Sequence, residues 1–343
     1  MKEYTEIILL LGGNIKVTTK VRDKSLDIIR GGSILLVVLG HIPGIPFELK
    51  KYIYSFHIPL FFFVSGYLFN FAKYRYFSYK EFIKYKAKKY ILPYFRMGLL
   101  CLLLFGIVYP LFTEGFSKQY MLQSTKYVLG LLYSRGGPNY MAWSSPLWFL
   151  TALFIAEIIF FVVLKFNFKY PLIVFGILAI LSYIYSITIK IPLPWNIDVA
   201  MFAVLFMYLG FITHKYDLTK HINLPVFLLL IVIFVLSVAY NNNIDMNLRN
   251  YGNGFLTIIS GTIGTVICLR IARLLKENKI LEFYGKNTLF IMGYTYAVFN
   301  CILVLSSHFS TLKNVVVSFL TQVIVLTLLI LAKKSLKSNL GKS

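Results

Sequence analysis

Three ionisable residues share one strongly apolar stretch, LDIIRGGSILLVVLGH: Asp27, Arg30 and His41. Ionisable groups in such surroundings are costly and mark function by default. Arg30 and His41 stand eleven positions apart. At roughly 100° per residue that spacing falls about 20° past three full turns, so both side chains lie on one helix face, the imidazole about 16 Å further along. Asp27, three residues before Arg30, is placed to pair with it. Gly31, Gly32, Ser33 and Gly40 lie nearby and admit a close neighbour. The next apolar block, YIYSFHIPLFFFVSGYLF, brings a second imidazole, His57. Pro59 removes a backbone donor there and frees carbonyls, and Ser65-Gly66 permits close approach further along. A histidine pair beside a cleft suits general-base work on a hydroxyl.

Other polar groups join this set. Glu157 sits in the middle of PLWFLTALFIAEII and needs a partner inside a bundle. Trp143 and Trp148 read either as interfacial belt residues or as platforms for a sugar ring. Lys84, Lys88 and Lys89 offer point charges to phosphates, or serve topology alone. The sequence carries no GxSxG, no P-loop and no usable HExxH. Cys101, Cys268 and Cys301 all lie in apolar runs without a CxxC pair, which argues against a metal or redox site.

The elements that must position these residues are membrane helices. Of the 343 residues, 58% are hydrophobic and only 14% charged; the mean hydropathy is +0.73. A water-facing exterior does not tolerate that composition, whereas lipid does. Apolar runs near 26–43, 52–71, 91–112, 146–164, 171–188, 197–213, 223–240, 253–274, 287–306 and 312–332 predict about ten transmembrane helices, an all-α polytopic protein. The run 119–133 is too short and polar to span and is expected at the outer surface. The net charge of +22 is a topology signal. With the N-terminus inside, the inner segments carry 25 of the Lys and Arg residues and the outer loops 44–51, 113–145, 189–196, 241–252 and 307–311 with its flank carry 8. Both termini are therefore expected in the cytoplasm. The basic residues recur between apolar runs instead of gathering on one soluble face, which excludes nucleic-acid binding. We read residues 1–23 as a cytoplasmic tail, 24–332 as one membrane domain and 333–343 as a basic tail.

The opening stretch, with its Arg-x10-His spacing, resembles the first signature of the acyltransferase 3 family of membrane O-acyltransferases. FHIPLFFFVSGYLF resembles its second-helix signature. KKYILPYF, PLWFL and FYGKNTLFIM also match, closest to a branch of fucose 4-O-acetylase-like and intercellular-adhesin-export-like proteins, and the blocks run in order from residue 22 to about 332. The resemblance implies a cytoplasmic acyl-CoA donor, with acetyl-CoA the default, and a carbohydrate hydroxyl as acceptor, on a cell-surface polysaccharide or lipid-linked glycan in a bacterial plasma membrane. It implies that Arg30 and His41 are essential. Relatives often carry a histidine about ten residues after the glycine of GKN, where this chain has Thr295 and Tyr296.

Acyl transfer to an alcohol needs a held donor, a deprotonated nucleophile and oxyanion stabilisation. The residues predict Arg30, steadied by Asp27, on the coenzyme A arm together with Lys84, Lys88 and Lys89. His41, helped by His57, acts on the sugar hydroxyl, and Ser65, Trp148 and Glu157 contact substrate. The Arg30–His41 separation is comparable to a pantetheine arm, so one shared cleft is expected. A different class of reading, an exporter of a glycan, predicts internal repeats with matched broken helices, which the sequence lacks. A scaffold subunit leaves the stacked Asp, Arg and His unexplained.

Overall fold

The computed structural model describes residues 5–6, 18–19, 23–306 and 308–340. Apart from a two-residue antiparallel pairing of Thr5–Glu6 with Thr18–Thr19, its regular structure is helical. The main helices are α1 (Lys24–Gly40), α2 (Phe47–Tyr67), α3 (Tyr79–Cys101), α4 (Lys118–Tyr133), α5 (Trp148–Lys165) and α6 (Pro171–Thr188). They continue with α7 (Ile197–Lys215), α8 (Leu224–Ala239), α9 (Gly254–Leu275), α10 (Lys279–Lys286), α11 (Thr288–Ser306) and α12 (Val315–Leu340). α3 runs on through a π-helical segment, Leu102–Val108, to Glu114. Each of the ten expected spans falls on a helix. Among the described residues seven helices, α3 with its continuation, α5, α6, α7, α9, α11 and α12, are long and apolar enough to cross a membrane. Of the rest, α1 has 17 residues and α8 has 16, and α2 carries Glu48, Lys50 and Lys51 near its start. Along α6, Leu172, Ile173, Ile177, Ile180, Leu181 and Ile184 stand exposed, a face that only lipid accommodates.

Two boundaries differ from expectation. The basic segment 72–90, which separates the expected spans 52–71 and 91–112, is helical from Tyr79 onward. Ser78 and Glu81 form a reciprocal capping box that starts α3 twelve residues before the apolar run does. The C-terminal tail is likewise absorbed into α12, which continues to Leu340. The expected tail 1–23 lies almost wholly outside the described residues. The segment 119–133, expected at the outer surface, forms α4.

α1 is the central helix, with Ile34 and Val38 fully buried. It packs on α10 through reciprocal glycines. A Cβ on Gly31 would lie 1.9 Å from the Leu281 carbonyl oxygen, and one on Gly285 would lie 1.9 Å from the Asp27 carbonyl oxygen. α2 and α7 repeat the device, with Gly66 against Met207 and Gly210 against Phe63. Between membrane helices there is little hydrophobic drive, so close backbone approach supplies the packing energy. Because the obstacle is backbone, Gly31→Ala should cost at least about 1–3 kcal/mol and lower the thermal unfolding midpoint in detergent. Gly32→Ala, where nothing lies within 4 Å, should not. Equal midpoints for the two variants would show that the α1–α10 contact is loose.

The bundle has two distinct ends. At one, Lys24 pairs with Glu277 and Lys165 donates to the Phe77 carbonyl. At the other, Arg249 Nη2 donates to the Lys190 carbonyl (2.6 Å), Tyr133 to that of Pro192 (2.7 Å) and Trp195 to that of Leu132 (2.9 Å), tying three loops together.

Candidate active site

At the first end, α1, α2, α3, α5, α10 and α11 enclose a cavity of about 290 Å³. Its lining includes Arg30, Ser65, Lys86, Lys89, Tyr90, Glu157 and Lys286. Glu157 is its one carboxylate, against four cations, so the cavity is built for an anion. Glu157 Oε1 accepts from Ser65 Oγ at 2.7 Å and from Tyr90 Oη at 2.5 Å. The carboxylate forms a buried ion pair with Lys86, and Lys89 stands 3.9 Å away. Lys86 Nζ lies 4.5–5.8 Å from the ring centroids of Phe69, Tyr74, Phe82 and Tyr85, a desolvated cationic position.

Helix phase explains which lysines take part. Lys86, Lys89 and Tyr90 share the inward face of α3. Lys84 and Lys88 point about 160–200° away from Lys86, and both are exposed and absent from the lining. The structure therefore brings Lys89 into the cavity lining together with Lys86 and Tyr90, which the sequence reading did not name, and leaves Lys84 and Lys88 facing outward. The S-x-x-E capping signal at Ser78 fixes that phase.

The histidines form a second cluster. His41 Nδ1 lies 3.1 Å from Tyr54 Oη and 3.2 Å from Tyr296 Oη. Tyr54 also directs its hydroxyl at the Gly40 carbonyl, 3.4 Å away. With the Tyr54 proton on the Gly40 carbonyl, the Tyr54 and Tyr296 oxygens can both accept from His41 Nδ1–H. The lone pair then sits on Nε2, to which no described protein group hydrogen-bonds. His57 is buried, with Nδ1 2.7 Å from the Ile53 carbonyl. A carbonyl only accepts, so His57 carries its proton on Nδ1 as well. Tyr54 lies edge-on between the rings, its centroid 6.0 Å from His41 and 4.9 Å from His57. Asp245 is near enough for its charge to act on both Tyr54 and Tyr296. Burial raises the Asp245 carboxyl above its ordinary value, against the pull of the Leu248 and Asn247 amides and the Lys50 ammonium. Two neutral imidazoles, one with its outer nitrogen open, make a base for a hydroxyl proton.

Arg30 and His41 lie along α1 as their spacing predicted, but not in one cleft. The cavity includes Arg30 and neither histidine. Phe61 and Met292 belong to its lining, and His57 on α2 and Tyr296 on α11 follow them by one helical turn, about 5.4 Å. His57 and Tyr296 thus lie about one helical turn beyond residues that line the anion-holding cavity. Asp27 is buried beneath α10, its carbonyl against Gly285. Trp148 is also buried, edge-on to Phe149 and outside the cavity, in the core rather than on a sugar-facing surface. Trp143 stacks on Phe105 at 4.7 Å. At the family departure, Thr295 receives the Gln322 amide (3.0 Å), whereas Tyr296 reaches His41. Tyr54 and Asp245 carried no sequence signal, because only the tertiary fold brings them to the His41 cluster, and Tyr296 stood out only as part of the family departure.

Apolar spanning helices around a cationic cavity and a histidine cluster define a multi-pass membrane protein with the parts of a group-transfer enzyme. The acyltransferase-domain model of the acyltransferase 3 family matches residues 23–332, and the chain belongs to that family. No curated protein and no solved structure matches it.

Proposed function

We propose that this membrane acyltransferase is an O-acyltransferase that moves an acyl group, acetyl by default, from acyl-CoA to a hydroxyl of a cell-surface or exported polysaccharide. The cavity end, where the Lys and Arg residues concentrate, faces the cytoplasm. All ten helices on the expected spans cross a bacterial plasma membrane, with both termini inside. The branch is the fucose 4-O-acetylase-like one, and glycan-synthesis or export machinery supplies the acceptor. The observation that carries this reading is the short gap between the two half-sites. A cavity with Arg30, Lys86, Lys89 and Lys286 suits the phosphates of coenzyme A, and it stops one helical turn from an imidazole cluster.

In this mechanism Arg30 and Lys89 hold the donor, and its arm passes between Phe61 and Met292. His41 Nε2 takes the proton of the sugar hydroxyl as the oxygen attacks the thioester carbonyl. The C–S bond breaks, and the imidazolium returns its proton to the departing thiolate. Tyr54 and Tyr296 hold the imidazole through Nδ1, as an orienting group must.

Inside-out membrane vesicles given acetyl-CoA labelled in the acetyl group test the reading. Label should enter saccharide, and should not when the donor is confined to the opposite face. Saccharide that stays unlabelled from either face contradicts it. The passage has its own test. Met292→Trp should lower transfer about 100-fold by obstructing the arm, while coenzyme A affinity changes little. Unchanged transfer would show that nothing passes between Phe61 and Met292.

A further inference from the structure

A second cavity, about 260 Å³, opens at the end of the bundle opposite the cationic one. Residues 133–140, 192–193 and 247–249, with Lys190 and Asn196, line it. The lining contains Arg135, Lys190 and Arg249 and no carboxylate. Arg249 is spent on structure: its guanidinium meets the Ile189 and Lys190 carbonyls and Asp198 Oδ2 at 3.3 Å. Arg135, resting on the Tyr140 ring, and Lys190 are exposed and form no ion pair among the described residues. The cavity therefore keeps a net positive charge of about two, next to the amide side chains of Asn139, Asn196 and Asn247.

The backbone here is strained. Of the seven non-glycine residues with positive φ among the described residues, Ser134 (61°), Asn196 (57°) and Arg249 (60°) line this cavity and Trp195 (56°) adjoins it. Such strain persists where the surroundings over-determine it, and it clusters at binding sites. The Asn196 amide enforces one part by donating to the Ser134 carbonyl at 2.9 Å and to Thr151 Oγ1 at 3.2 Å. Gly136 leaves room for Asn247, whose Oδ1 would lie 2.4 Å from any Cβ added there. One loop then links this cavity to the base. Asp245, whose charge acts on Tyr54 and Tyr296 beside His41, pairs with Asn250 across the turn that carries Asn247 and Arg249.

We infer that this cavity binds an anionic saccharide segment, one bearing carboxylate or phosphate groups, with Arg135 and Lys190 taking its charge and Asn139 and Asn247 its hydroxyls. Guanidinium and ammonium groups select the anion, and amides placed on a rigid frame select polyols over a bare ion. The inference deepens the proposed function by giving the acceptor an anionic character, yet binding is read without turnover and so stands or falls separately.

The test is calorimetry on the full chain in detergent micelles, using a short oligomer of galacturonic acid, a malto-oligosaccharide of equal length, and inorganic phosphate. The galacturonate oligomer should bind saturably and more weakly as salt rises. The Arg135→Gln/Lys190→Gln double variant should bind it about tenfold more weakly or worse, given the strength of charge-assisted hydrogen bonds. Both side chains are exposed, so the variant should keep the native unfolding midpoint. Malto-oligosaccharide or phosphate binding as tightly as the galacturonate oligomer overturns the inference, as does an affinity unchanged in the double variant. Binding that holds while acyl transfer is absent leaves the inference standing and removes the enzymatic reading.

Discussion

Cells whose only copy of this chain carries His41→Ala are expected to make unacylated surface polysaccharide. General-base catalysis contributes about 10²–10⁴-fold, and here the loss should reach the upper part of that range, because His41 is the imidazole whose Nε2 accepts no hydrogen bond from a described protein group. The variant should still reach the membrane. His41 is half-buried just past the end of α1 and bridges two tyrosines, so alanine removes contacts without introducing a clash. Coenzyme A binding should also survive, since His41 does not line the cationic cavity. That separation makes the variant informative: transfer lost with donor affinity kept assigns His41 to the chemical step. Unchanged product acylation would remove His41 from the reaction.

Lys86→Met should have the largest effect on stability. The substitution leaves Glu157, 1% exposed, with only the long contact to Lys89 to balance its charge. Stranding one member of a buried ion pair costs about 3–5 kcal/mol, whereas replacing both members by apolar residues is often neutral. Lys86→Met should therefore unfold at a markedly lower temperature, and Lys86→Met/Glu157→Leu should recover much of the loss. The double variant still breaks the bonds from Ser65 and Tyr90, so recovery will be incomplete. A single variant as stable as the native chain would mean that Glu157 takes up a proton and needs no cation.

Much of this arrangement was legible in the residues. Helical periodicity alone placed Arg30 and His41 on one side of α1, because eleven residues nearly complete three turns. Hydropathy located the helices because lipid imposes length and composition on anything that crosses it. FYGKN was visible as a motif, but its role was not: Gly285 is there because Asp27's carbonyl leaves no room for a Cβ. What escaped was set by tertiary contact or helix phase. The lysines of 84–89 look alike in sequence, and only the start of α3 at Ser78 determines that Lys86 and Lys89 turn inward. Trp148 looked like a surface aromatic because it begins an apolar run, yet the fold buries it to 5% exposure. The expected shared cleft failed for a similar reason. Phe61 and Met292 come from helices far apart in sequence, and nothing local reveals that the cavity they line takes in Arg30 and neither histidine.

The central claim is that this chain acylates a glycan rather than exporting one. Mass spectrometry of surface polysaccharide from cells with and without the chain tests it most directly. The account predicts polymer in similar amount from both, with the mass of one acyl group per modified unit missing where the chain is absent. Polymer that disappears from the surface while the remaining units keep their acylation would contradict it.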